Sequence, residues 1–130
     1  MQNKTIVYLG IDWGEVRLGL AMGDSSARTA VPIETVSNLD AVLDIVKNES
    51  IDEVIIGEPV KMSGDKKTIN KKYLQFIKQL KSKVDIPVRK YDERLSSKAA
   101  DALIGDKKTK AGRDSIAAMI ILQGYLDFVK

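Results

Sequence analysis

The chain has 130 residues, 44% of them apolar, enough for one compact domain with a buried core and too few for two. It contains neither cysteine nor histidine, which excludes disulfides, thiolate metal sites and imidazole chemistry; any metal must be held by oxygen, which favours Mg²⁺ or Mn²⁺. The net charge of +3 conceals a segregation, since residues 60–113 hold 16 of the 21 basic side chains but only 6 of the 18 acids; that stretch carries +10 and the remainder −7. A solvated basic face satisfies such a pattern, and so does a surface that attracts and steers a polyanion.

The N-terminus runs directly into Thr5-Ile-Val-Tyr-Leu-Gly-Ile-Asp12, an apolar, β-branched run that reads as a buried central strand ending at Trp13-Gly14. No run of 18 apolar residues and no signal-peptide pattern occurs, so the expectation is a cytoplasmic protein with no membrane partner. Arg17 to Gly23 reads as a second strand, paired with the first as a hairpin around Glu15-Val16. Thr29 to Val36 is a third, and Pro32, which cannot donate to a ladder, argues for an edge or a bulge there.

Leu39, Val42, Leu43, Ile45 and Val46 recur at helical spacing behind Ser37-Asn38, either of which can cap the helix. Val54-Ile-Ile-Gly57 is a continuous apolar run, as in a parallel strand covered on both faces, and it stops at Glu58-Pro59. Lys61 to Asp65 reads as a loop; from Thr68, the residues Ile69, Tyr73, Phe76, Ile77 and Leu80 predict a long helix with lysines on its outer side. Pro87 to Tyr91 is the fifth strand and ends at Asp92-Glu93. Ser96 or Ser97 can cap a further helix that Gly105 terminates, a lysine-rich linker covers Asp106 to Gly112, and a last helix opens near Arg113-Asp114. In that helix Ala117-Ala118 are small enough to let it lie close against a sheet. The order of elements predicts an α/β fold, a mixed sheet flanked by helices.

Asp12, Glu58, Asp92-Glu93 and Asp114 each fall where a strand or helix ends or begins, the way a fold gathers carboxylates from separate elements at one sheet edge. Taken singly each has a plainer role: a strand-end turn residue for Asp12, an exposed turn before a helix for Asp92-Glu93, a first-turn helix charge for Asp114.

Gly10-Ile-Asp12-Trp-Gly14 with Arg17-Leu-Gly19-Leu-Ala21, Ile55-Ile-Gly57-x-Pro59, Asp92-Glu-Arg-Leu-Ser-Ser97 and Asp114-x-x-Ala-Ala118 together resemble the YqgF/RuvX family. That family has an RNase H-like fold and is described as Holliday-junction resolvases and as pre-16S rRNA nucleases. The resemblance spans nearly the whole chain and implies one RNase H-like domain over 1–130, with a five-stranded mixed sheet. It also implies a metal-dependent phosphodiesterase in which Asp12, the Asp92-Glu93 pair and Asp114 act in catalysis, with Asp12, Glu93 and Asp114 as the metal ligands. Such a site works without histidine, because bridged divalent ions lower the pKa of a bound water and offset charge on the phosphate.

The chain departs from the family pattern at Trp13 and Glu15, where Pro and Thr are usual, and in the loop Met62-Ser-Gly-Asp-Lys66, which lacks a second glycine. Glu58 replaces a usual leucine. Related resolvases carry a catalytic Glu at the end of the equivalent strand, so Glu58 is a candidate fourth ligand or a substitute that relaxes the need for Glu93, against the alternative of an acid turning into solvent before Pro59. Arg17, Arg94, Lys110 and Arg113 flank the acids in sequence and are candidate phosphate contacts or ion-pair partners that orient a carboxylate.

The expected substrate is structured RNA, with the 5′ end of pre-16S rRNA as the specific expectation and branched DNA as the alternative; the expected state is a monomer or weak homodimer. Alternation predicts that only one of Asp92 and Glu93 is essential. Two other classes compete. Gly10-Ile-Asp-Trp-Gly14 before a hairpin is also similar to the first phosphate loop of actin-like ATPases, which need two domains. A catalytically silent RNA-binding factor would keep the fold and lose the chemistry.

Overall fold

A computed structural model of the chain describes residues 4–58, 71–92 and 113–129. Its elements are β1 (Val7–Trp13), β2 (Leu18–Asp24), β3 (Val31–Val36), α1 (Leu39–Asn48), β4 (Glu53–Glu58), α2 (Lys71–Lys83), β5 (Val88–Asp92) and α3 (Arg113–Phe128). The loop expected at 61–65 and the helix expected up to Gly105 lie outside the described residues.

The five strands form one mixed sheet in the order β3-β2-β1-β4-β5. β1 pairs antiparallel with β2 and parallel with β4, so β1 is central and its apolar, β-branched run is covered on both faces. Pro32 satisfies both of its expectations at once. β3 is an edge strand, and its register against β2 jumps between Leu20 opposite Glu34 and Ala21 opposite Pro32, which leaves Ile33 as the extra residue of a bulge. The short α1 is fixed at its start by Asn38, whose side chain accepts from the Ala41 amide at 2.9 Å; such a cap contributes about 1 kcal/mol.

Alternation along the strands divides the core in two. Leu9, Ile11, Leu18, Leu20, Val54 and Ile56 face α1 and α2, where Val42, Tyr73, Phe76, Ile77 and Leu80 meet them. Tyr8, Ala21 and Ile55 face α3 and meet Ala118, Ile121, Leu122 and Leu126. α3 crosses close to the sheet because the strands present small residues to it: a Cβ on Gly10 would lie 2.8 Å from Cβ of Leu122 and 3.1 Å from the carbonyl oxygen of Ala118. Ala118 is fully buried, as expected for a small contact residue. At its far end α3 is closed by Arg28, whose guanidinium donates to the carbonyls of Leu126 and Val129. Among the described residues, no helix is long and apolar enough to cross a membrane.

Candidate active site

Asp12 is the sixth residue of β1, half-buried, and directly opposite Gly19 of β2 in the antiparallel ladder. Residues opposite one another in such a ladder project to the same face. On this face a Cβ at Gly19 would stand 1.8 Å from the carbonyl oxygen of Asp114 and 2.7 Å from the amide nitrogen of Ser115. Only a residue without a side chain lets the first turn of α3 sit here. The missing side chain at position 19 therefore brings Asp114, from the last helix, beside Asp12, from the first strand. Asp12 shares that face with Gly10 and Tyr8, on the α3 side of the sheet.

Arg17 joins them from the end of the hairpin turn. Its Nε donates to Oδ2 of Asp114 at 3.1 Å, with the arginine side chain 69% and the carboxylate 31% exposed. The turn is tight, since a Cβ on Gly14 would lie 2.7 Å from the Arg17 carbonyl oxygen, and it leaves Val16 in solvent. Asp114 also occupies the first turn of α3, where the helix dipole favours a negative charge.

Glu58 goes elsewhere. β4 runs parallel to β1 with Gly10 opposite Ile55 and Ile11 opposite Ile56, so Val54, Ile56 and Glu58 share the face of α1 and α2, the reverse of the face that carries Asp12. There the Glu58 carboxylate lies 4.0 Å from Nζ of Lys90. Asp92 ends β5 in register with Glu58. Glu93, Arg94 and Lys110 lie outside the described residues, and of Arg113 only its place as the first residue of α3 is described. The arrangement thus brings together Asp12, Asp114 and Arg17 and separates Glu58 from them.

Gly19 is the positioning residue that reading the sequence missed. Its signal was Arg17-Leu-Gly19, two residues apart on one face, but its meaning depends on a helix 95 positions away (Gly19 to Asp114). Trp13 turns to the other face and meets Tyr73 edge-on, ring centroids 5.6 Å apart.

The groups with displaced pKa values lie four residues back along β1, about 13 Å away at strand rise. Burial, then the negative charge of Glu53, raises Tyr8 and Tyr125, while the hydrogen bond that Arg89 Nε donates to the Glu53 carboxylate at 2.9 Å raises Arg89. These are structural couplings at the opposite end of the sheet.

The described donors suit a hard cation. Two acidic residues, Asp12 and Asp114, are brought to one face of the sheet, and Mg²⁺ characteristically takes one or two carboxylates, keeps several waters and draws its remaining contacts from substrate phosphates. No group of three carboxylates gathers among the described residues, so the described part of the site is this pair and its arginine.

A family model described as RuvX: Holliday junction resolvase matches residues 6–128. The chain belongs to this family. Relatives provisionally named pre-16S rRNA nucleases include one from Desulforamulus reducens, 32% identical over 92% of this chain and 95% of its own length. Another, from Acetivibrio thermocellus, is 38% identical over 92% and 94%. Among solved structures, RuvC of Thermus thermophilus in complex with a Holliday junction substrate superposes with a TM-score of 0.62 at 17% identity, covering 92% of both chains. The fowlpox virus resolvase with its substrate junction DNA gives the same score at 15% identity, covering 96% of this chain and all of that one. This RuvX-family chain accordingly has the RNase H-like fold, as its motifs led one to expect.

Proposed function

We propose that the chain is a divalent-metal-dependent nuclease of a single RNase H-like domain, hydrolysing phosphodiester bonds at the 5′ end of pre-16S rRNA during ribosome biogenesis in the cytoplasm. The observation that carries this reading is the convergence of Asp12 and Asp114 across Gly19. The names of the relatives support the substrate.

Two carboxylates and one arginine leave a net negative site, which by itself repels a phosphodiester. Asp12 and Asp114 would hold a Mg²⁺ or Mn²⁺ ion, which would lower the pKa of a water and offset charge on the phosphate. Asp12 contributes one carboxylate from a central strand whose backbone is fixed on both sides. Asp114 contributes the second from a helix N-terminus, and Arg17 holds its orientation. Glu93 is the proposed third ligand, the role that its place in the Asp92-Glu-Arg-Leu-Ser-Ser97 motif of the family implies. Arg94, Lys110 and Arg113 are the proposed phosphate contacts. Resolution of branched DNA is the second reading, favoured by the description of the family; it needs two symmetric sites and hence a dimer.

The test is cleavage of a pre-16S rRNA 5′ leader and of a four-way DNA junction with Mg²⁺ or Mn²⁺. Cutting of the leader by the wild type, abolished by EDTA and by Asp12→Asn, is the expected result. Cutting that survives both would sink the metal mechanism, and cutting of the junction alone would replace the substrate.

A further inference from the structure

Among the described residues, a marked charge asymmetry lies on α2, away from the carboxylates. α2 carries five lysines, Lys71, Lys72, Lys78, Lys81 and Lys83, and no acid. Its buried face is Tyr73, Phe76, Ile77 and Leu80, so at 100° per residue Lys71, Lys78 and Lys81 fall on one outward flank together with Leu74, which is 41% exposed. All three lysines are exposed and form no ion pair with a described residue. Along the helix they span ten residues, about 15 Å, which is two to three phosphate spacings of an extended strand.

Two features tie this stripe to the candidate active site. Trp13 directly follows Asp12, and its ring packs edge-on against Tyr73 in the first turn of α2. Lys71 therefore sits at the sheet end where the carboxylates converge. α2 lies between the parallel strands β4 and β5 and runs back along the sheet, so the stripe leads away from that end. On the same face of the sheet α1 carries the exposed Asp40 and Asp44, an acidic surface that does not attract a polyanion.

We infer that the flank Lys71–Lys78–Lys81 of α2 is a second contact surface for the phosphate backbone of the nucleic acid, engaging the strand that leaves the carboxylate site over the end of the sheet. The inference rests on the nucleic-acid reading of the site, but not on its catalytic chemistry. Such contacts carry no base specificity; they add affinity through release of counterions and fix the direction in which the substrate runs.

Binding separates this inference from the nuclease reading. The experiment uses the Asp12→Asn chain in EDTA and a fluorescein-labelled RNA hairpin with a 20-nucleotide single-stranded 5′ tail, followed by anisotropy from 50 to 200 mM salt. The Lys71→Gln/Lys78→Gln/Lys81→Gln variant is expected to bind about tenfold more weakly at 100 mM, with the slope of log Kd against log salt reduced by about 2, the value for three neutralised phosphates. Lys47→Gln, on α1, should leave both unchanged. Trimming the tail to four nucleotides should remove the difference between triple variant and parent. An unchanged slope, an equal effect of Lys47→Gln, or the absence of binding to the probe overturns the inference, whether or not the wild type cuts RNA.

Discussion

Arg17 Nε donates to Oδ2 of Asp114 at 3.1 Å, a contact between residues 97 apart in sequence that joins the first hairpin to the last helix. With the arginine 69% exposed, a pair of this kind contributes about 0–1 kcal/mol to stability. Its value lies in orienting the carboxylate. Arg17→Ala is therefore expected to leave the thermal midpoint close to wild type while lowering kcat or metal affinity by about 10–100-fold, the usual cost of losing a partner of a metal-binding group. Arg17→Lys restores charge without the planar fork and should recover only part of the loss. A rise in KM alone, with metal affinity intact, would instead make Arg17 a phosphate contact.

Gly19 predicts a larger and different effect. A methyl group there meets backbone, the Asp114 carbonyl at 1.8 Å, which cannot swing aside as a side-chain tip could. Gly19→Ala must displace the first turn of α3, at a cost of about 1–3 kcal/mol or more, and with it Asp114. Urea unfolding should show the lost stability, and Mn²⁺ titration the lost affinity in whatever fraction stays folded. An alanine variant with wild-type stability and metal binding would show that α3 does not rest on β2 as described.

Tyr8 and Tyr125 make the fold sensitive to alkali. Their rings meet edge-on at 5.7 Å, and burial followed by Glu53 raises both above the ordinary value of 10.0. A raised pKa means that the folded protein holds its phenol protons more tightly than the unfolded chain, so this stability is fully present below pH 10.0 and is lost as pH rises through the folded values. Unfolding free energy should fall as pH rises above 10.0, and in Tyr125→Phe, which has no proton to lose there, it should fall less steeply. Parallel losses in both proteins would assign the alkaline slope to other groups.

How much of this was legible in the sequence depends on where the information lay. The strands, α1, the core face of α2 and the site end of the sheet follow from local periodicity and punctuation, and Pro32 announced an edge or a bulge where the structure has both. Asp12 and Asp114 could be paired from their motifs. The face of Glu58 could not: Val54-Ile-Ile-Gly57 is apolar on both sides, because β4 is covered on both sides, and a strand without polar alternation does not say which residues point which way. Only its register against β1 does. The partner of Arg17 was hidden for a related reason, since nothing near position 17 encodes a helix that arrives 97 residues later.

That register carries the sharpest prediction about the acids. Glu58 stands on the face of α1 and α2 with Lys90 at 4.0 Å, a spacing at which an exposed pair contributes at most about 1 kcal/mol. Glu58→Gln is therefore expected to keep kcat/KM and metal affinity near wild type and to shift stability only slightly. Glu93→Gln, changing the proposed third ligand, is expected to fall to the level of Asp12→Asn. Each comparison needs a folded protein, checked by far-UV circular dichroism before activity is read. Should Glu58→Gln abolish cutting while Glu93→Gln spares it, the strand end would have to bring Glu58 round to the Asp12 face, and the metal set would be Asp12, Glu58 and Asp114.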